Sequence, residues 1–208
     1  MTRLLIRILP VVMAAGLQAQ NGPAVRQNYF QQAPGGGEKG WAGVRTSLQF
    51  RVDGPGGVCR VREVDETTVF KPGDRFRMRI QPNTSGYMYV LLKASSGDIK
   101  LLFPGEQVRK FETRTVPSSG WFKFDSDTGL ERMYLFVSPK PVKELERRTL
   151  RDKDLDKLLE KAEDHPSQSY DEAADGAAAG ASYYVERLDW EKEYLIRRFR
   201  LRNAKGGD

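Results

Sequence analysis

Residues Phe70 to Pro104 read FKPGDRFRMRIQPNTSGYMYVLLKASSGDIKLLFP, and this stretch decides the fold. Phe76, Met78 and Ile80 alternate with Arg75, Arg77 and Arg79. That period of two belongs to a strand with one buried face and one face of three guanidinium groups. Tyr87 to Leu92 has no polar member in either register, so it reads as a central strand covered on both sides. Pro82 to Gly86 between them is a turn, because Pro ends a ladder while Asn and Gly tolerate positive φ. Lys71-Pro72-Gly73-Asp74 carries the Pro-Gly pair of a type II turn. Ser95-Ser96-Gly97-Asp98 turns the chain into Ile99 to Phe103, which Pro104-Gly105 ends.

Upstream, Val44, Thr46, Leu48, Phe50 and Val52 alternate with Arg45, Ser47, Gln49 and Arg51, a strand with one wet side. The cluster Asp53-Gly54-Pro55-Gly56-Gly57 turns it into a second strand from Val58 to Val64. Downstream, Thr113 to Val116, Trp121 to Phe124 and Arg132 to Val137 are short strands between turn clusters. Strands at this spacing predict a mainly β chain folded as an antiparallel β-sandwich, immunoglobulin-like or similar. Phe70, Tyr87, Tyr89 and Trp121 have the size to fill the space between its sheets.

The pattern changes after Ser138. Pro141 to Leu150 and Asp152 to Asp164 are helix-like, the second with Leu155, Leu158, Leu159 and Ala162 in one stripe that suits a sheet surface and Asp152 as its cap. Ser167 to Ser182 reads as a loose loop. Tyr183 to Leu188 and Tyr194 to Arg202 then read as a closing β-hairpin about Asp189 to Glu193, with Arg198, Arg200 and Arg202 opposite Leu195, Phe199 and Leu201.

Residues 1–19 have the make-up of a secretory signal peptide: Arg3 and Arg7, a mostly apolar run from Leu4 to Leu17, and a small-residue cleavage site at Leu17-Gln18-Ala19. Residues 20–40, rich in Gly, Gln and Pro, are a flexible leader. Residues 41–203 are one domain, with a helical insertion over about 141–164 and a flexible loop over about 167–182, and residues 204–208 are a tail. This organisation places the mature chain in the periplasm or outside the cell. The formal net charge of +6 falls by two without the segment, a mildly basic balance that permits an acidic partner. Cys59 is the single cysteine, so no internal disulfide forms, and a buried inert thiol is the expectation.

Several residues of the deciding stretch and beyond resemble a bacterial family known as domain of unknown function 4384. They are Phe70 with Gly73-Asp74-Arg75, then Gly86-Tyr87-Met88-Tyr89-Val90-Leu91, then Gly97 with Leu101-Leu102-Phe103-Pro104. Pro117 with Gly120-Trp121-Phe122 follows, and Gly129-Leu130-Glu131-Arg132 leads to Val137-Ser138. The likeness covers roughly Val69 to Leu145. It implies a β-sandwich-like domain of bacterial envelope proteins, found also beside peptidase and kinase modules, and no known reaction or catalytic residue.

No catalytic constellation emerges from the chain. His165, the single histidine, has no G-x-S-x-G serine to serve and reads as an exposed residue at a helix end. Asp125, Asp127 and Glu131 are an incomplete calcium pattern, with a plain turn the better reading, so no cofactor is expected. No phosphate loop or dinucleotide fingerprint occurs. The one functional hint is the pair of arginine faces. Arg75, Arg77 and Arg79 on one strand and Arg198, Arg200 and Arg202 on another form an anion-binding surface if the strands lie side by side, with Tyr89 or Tyr194 to stack on the ligand. The expected function is a non-enzymatic binding module of the cell envelope whose partner is an envelope protein or an anionic glycan, not nucleic acid. The alternative is an envelope hydrolase of glycan or peptide with unidentified carboxylates.

Overall fold

The computed structural model describes residues 22–31, 39–54, 56, 58–147, 150–161, 165–172 and 180–204. In chain order its elements are α1 (Gly22–Phe30), β1 (Gly40–Asp53), β2 (Cys59–Val64), β3 (Val69–Phe70), β4 (Arg75–Pro82), β5 (Gly86–Lys93), β6 (Ile99–Val108), β7 (Arg114–Val116), β8 (Phe122–Lys123), β9 (Gly129–Ser138), α2 (Asp152–Glu160), β10 (Ser167–Asp171), β11 (Ser182–Leu188) and β12 (Leu195–Asn203). The strands form two sheets. The first runs β10-β11-β1-β4-β7, with β2 added to β1 and β8 to β4; the second runs β3-β12-β9-β5-β6. At 14 residues, β1 spans about 46 Å, so one of its edges holds β11 along Gly40 to Thr46 and β2 along Leu48 to Asp53. Among the described residues only the contact of β3 with β12 is parallel.

The alternation read from the sequence places the core. Ala42, Val44 and Leu48 of β1 and Phe76, Met78 and Ile80 of β4 meet Met88, Val90, Met133, Leu135, Phe199 and Leu201 of the second sheet. Phe124 stacks between Phe70 and Phe76, at 4.6 and 5.0 Å. The other register of β5 points away from this core. Tyr89 and Leu91 join Tyr134, Phe136 and Ile196 in a second apolar layer, which Leu155 and Leu158 of α2 cover together with Val142 and Leu145. Among the four large aromatics expected between the sheets, Phe70 is there, Tyr87 and Tyr89 belong to the second layer, and Trp121 lies against Arg77. Among the described residues no helix is long and apolar enough to cross a membrane.

Several expectations are corrected. In place of a flexible leader, Gly22 to Phe30 forms α1, and its Val25 and Tyr29 are fully buried on Tyr183 and Val185 of the first sheet. The Pro82 to Gly86 turn is a crossover, since β4 and β5 lie in different sheets, and Asn83 in it is buried: its Nδ2 donates to the carbonyls of Tyr29 (2.9 Å) and Trp41 (3.1 Å), and its Oδ1 accepts the Gly43 N–H at 2.7 Å. Pro104-Gly105 does not end β6. Val90 pairs with Phe103 and Met88 with Glu106, so two residues oppose Tyr89 as a bulge. Gly105 is required there because a Cβ would strike the Tyr89 ring. Residues 141–147 form turns rather than a helix, since the Val142 N–H is committed to the buried Tyr89 hydroxyl at 2.9 Å.

α2 is shorter than expected, and its cap position is Arg151, without a side-chain cap bond; Asp152 is the first helical residue. Ser167 to Asp171 is a strand paired with β11 rather than loop. Cys59 is exposed at the end of β2 rather than buried. The largest correction concerns the closing hairpin. β11 pairs with β1 and β10, whereas β12 pairs with β9 and β3, so residues 189–194 carry the chain from one sheet to the other. Asp189 makes that crossing compact by accepting the N–H of Lys192 and of Glu193 on its carbonyl and the Lys192 ammonium, 2.7 Å away, on its carboxylate. The signal segment, the glycine run Gly35-Gly36-Gly37, Ala162, residues 173–179 and residues 205–208 lie outside the described residues.

Asn83 ties helix, first sheet and crossover together, so Asn83→Ala should lower the unfolding free energy by about 3 kcal/mol or more by leaving buried backbone groups unmatched. Tyr29→Phe, which loses one bond from the hydroxyl to the Gln81 carbonyl at 2.9 Å, should cost only about 1 kcal/mol. Urea titration of both variants checks the ranking.

Candidate functional site

The two arginine faces do not meet. The β4 stripe lies on the outer face of the first sheet and the β12 stripe on the outer face of the second, so they look in opposite directions. On the first sheet most of the charge is already used. Arg51 and Arg75 are direct cross-strand partners, and the Asp53 carboxylate stands between them at 2.6 Å and 3.7 Å. Arg77 lies over the Trp121 ring at 4.4 Å and donates its Nε–H to Gln49 at 2.7 Å. Arg79 is exposed.

On the second sheet the register builds a denser cluster than the sequence stripe alone. Arg200 of β12 lies directly opposite Arg132 of β9, and Arg132 directly opposite Lys93 of β5. Arg198 and Arg202 flank Arg200 on the same face, about 6.7 Å away along the strand. Lys93 reaches Asp152 at 2.7 Å. Among the described residues no carboxylate stands within ion-pair distance of Arg132, Arg200 or Arg202. Like charges directly opposite destabilise a sheet; Arg51 and Arg75 avoid this through Asp53, and Arg132 and Arg200 do not. The tyrosines expected to stack on a ligand are structural. Tyr89 is fully buried, and Tyr194 donates its hydroxyl proton to the Leu158 carbonyl at 3.0 Å, with burial pushing its pKa up to about 12.

The sequence reading missed a polar crevice at the open side of the sandwich. Among the described residues, one edge of β12 has no strand beside it beyond its short contact with β3. Glu186 of β11 accepts the Ile196 N–H there at 3.4 Å, and Glu66 accepts a backbone bond from Arg200. Arg197 is in the inward register, ion-paired to Glu66 and lying against the rings of Tyr184 and Phe199, each about 5 Å away. The Tyr184 hydroxyl donates to Glu186 at 2.5 Å. His165 is enclosed rather than exposed: its side chain is 9% accessible, with Nδ1 3.7 Å from Glu186 and Nε2 3.6 Å from Glu193. The signal for Arg197 was available in the alternation of Leu195, Phe199 and Leu201. Nothing local marked His165.

Burial raises the pKa of both carboxylates in the crevice. Arg197 partly offsets this at Glu66. Glu186 rises from 4.5 to about 7, although the Tyr184 hydroxyl, the Ile196 N–H and Arg198 each pull it down. Glu66 opens on a cavity of about 410 Å³ and Glu186 on another of about 260 Å³, with Arg197 in the wall of both. The pair therefore does not face one shared space. At the suggested calcium turn Asp125 accepts the Asp127 N–H at 3.0 Å, while Glu131 is buried, its pKa raised by burial and by Asp125. Among the described residues no cluster of three His, Cys, Asp or Glu side chains is placed to hold a metal.

With this geometry in place, comparison with known families adds one finding: residues 69–141 match the family model for Domain of unknown function (DUF4384). That region is a DUF4384 domain. It runs from β3 to the end of β9 and nearly coincides with the stretch whose residues resemble the family. No curated protein and no solved structure matches the chain. The DUF4384 region supplies Lys93 and Arg132 of the basic cluster, while Arg198, Arg200 and Arg202 come from β12 beyond it.

Glu186 gives a pH test. Its folded pKa lies above its ordinary value, so the folded state holds the proton more tightly than the unfolded chain. The contribution to stability is fully present below pH 4.5 and is lost as pH rises through about 7. Glu186→Gln should therefore be more stable than the parent above pH 7, by on the order of 2 kcal/mol, with the difference closing toward pH 4.5. Denaturant midpoints at the two ends of this window check it.

Proposed function

We propose that this chain is a non-enzymatic binding module of the cell envelope, periplasmic or extracellular, which engages an anionic partner through the outer face of its second sheet. The observation that carries the reading is the Arg132–Arg200 cross-strand pair with Arg202 beside it, placed without a neutralising carboxylate among the described residues. Such a pair costs stability in the free protein, and a bound anion removes that cost. The composition of the N-terminal run supports the compartment. The two crevice glutamates, opening on separate cavities, support binding over hydrolysis.

The triple variant Arg132→Gln/Arg200→Gln/Arg202→Gln should lose at least about tenfold in retention on a native envelope fraction at low salt, equivalent to about 1.4 kcal/mol. Its stability should stay level or rise by up to about 1 kcal/mol. The matching triple Arg75→Gln/Arg77→Gln/Arg79→Gln should keep full retention and lose stability, because Arg77 gives up its ring and its bond to Gln49. Unchanged retention in the first triple rejects the face.

A further inference from the structure

We infer that the anion held by this face is a phosphate group, clamped between the guanidinium groups of Arg132 and Arg200. The inference rests on reading the face as the binding surface and assigns the chemistry of its ligand. Direct cross-strand partners have Cβ atoms about 5 Å apart, so the two planar forks rise side by side from adjacent strands. One carboxylate presents two oxygens, which a single guanidinium fork satisfies, and one negative charge, which leaves the second arginine uncompensated. A phosphate monoester presents three oxygens and about −1.5 to −2 charges at neutral pH, enough to accept from both forks and to neutralise both.

The surroundings agree with this choice. Lys93, next in the cross-strand row, already pairs with Asp152, which closes that end. Arg202 stands about 6.7 Å from Arg200 along the strand and suits a further phosphate of the same ligand. The rings that a sugar ligand would stack on are withdrawn from this part of the face: Tyr89, Tyr134 and Phe136 are buried in the layer against α2. The exposed neighbours of the clamp are Leu130 and Val69, which pair with Arg202 from either side and offer no competing acceptor side chain.

The test is calorimetric titration of the full chain with sodium tripolyphosphate, with polygalacturonate as the carboxylate polymer. Phosphatidic acid in phosphatidylcholine vesicles, against phosphatidylcholine alone, tells a lipid headgroup from a free phosphate. Tripolyphosphate should bind, and Arg132→Gln and Arg200→Gln should each weaken it about tenfold or more. Arg200→Lys should fail to restore it, because the charge is kept and the fork is lost. Binding of glycerol phosphate, a monoester, should tighten as pH rises through about 6, where the second proton leaves. The carboxylates of polygalacturonate, already ionised there, should show no such step. Wild-type binding by Arg200→Lys, or polygalacturonate binding as tight as tripolyphosphate, overturns the phosphate clamp. Absence of any phosphate binding while envelope retention still depends on Arg132, Arg200 and Arg202 overturns the clamp and leaves the basic face standing; loss of both removes the face as well.

Discussion

The second sheet is apolar on both faces along β5 and β9, and a sheet of that kind has to be covered twice. Met88, Val90, Met133 and Leu135 are covered by the first sheet, and Tyr89, Leu91, Tyr134 and Phe136 by α2 and the turns before it. Burying one such side chain is worth roughly 1.5 to 3 kcal/mol, so neither face is left to water. α2 is only nine residues long, about 14 Å. It hides one end of the outer face and leaves the other end open, where the basic residues stand.

Arginine is used in three different ways within this fold. Arg51 and Arg75 share an acid, as exposed pairs often do for less than about 1 kcal/mol. Arg197 enters the crevice with Glu66 and two rings, an arrangement in which loss of either partner leaves a charge stranded in a low-dielectric place. Arg132 and Arg200 have neither solution among the described residues. The same side chain is thus a surface ornament, an internal brace and an unmet demand, and the last of these points outward to a ligand.

The alternation of residues 44–52 and 75–80 was enough to mark strands with one buried face, and the unbroken apolar run 87–92 to mark the doubly covered strand, because a period of two depends only on which side of a pleat each side chain leaves. What the sequence concealed depends on long-range pairing. Tyr183 to Leu188 and Tyr194 to Arg202 look alike as a hairpin and as two strands in different sheets, since the connection between them suits either, and only their partners decide. That difference is why the condition for one joint arginine surface, β4 and β12 side by side, is not met. The helix at Gly22 to Phe30 was hidden because its anchoring rests on two residues, Val25 and Tyr29, in an otherwise polar and Gly-rich stretch. His165 was misread because its burial comes from Glu186 and Glu193, twenty and more residues further on.

The bulge at Pro104-Gly105 has a consequence for how molecules of this protein meet each other. β6 is the outermost strand of the second sheet and, at ten residues, one of its two longest. A flat edge of that length is a template on which a neighbouring chain can add a strand and begin a fibril. Pro104 carries no N–H to offer a neighbouring strand, and the extra residue bends and twists β6 there. The irregularity that accommodates the Tyr89 ring therefore also blunts the strand where a second molecule would otherwise join it.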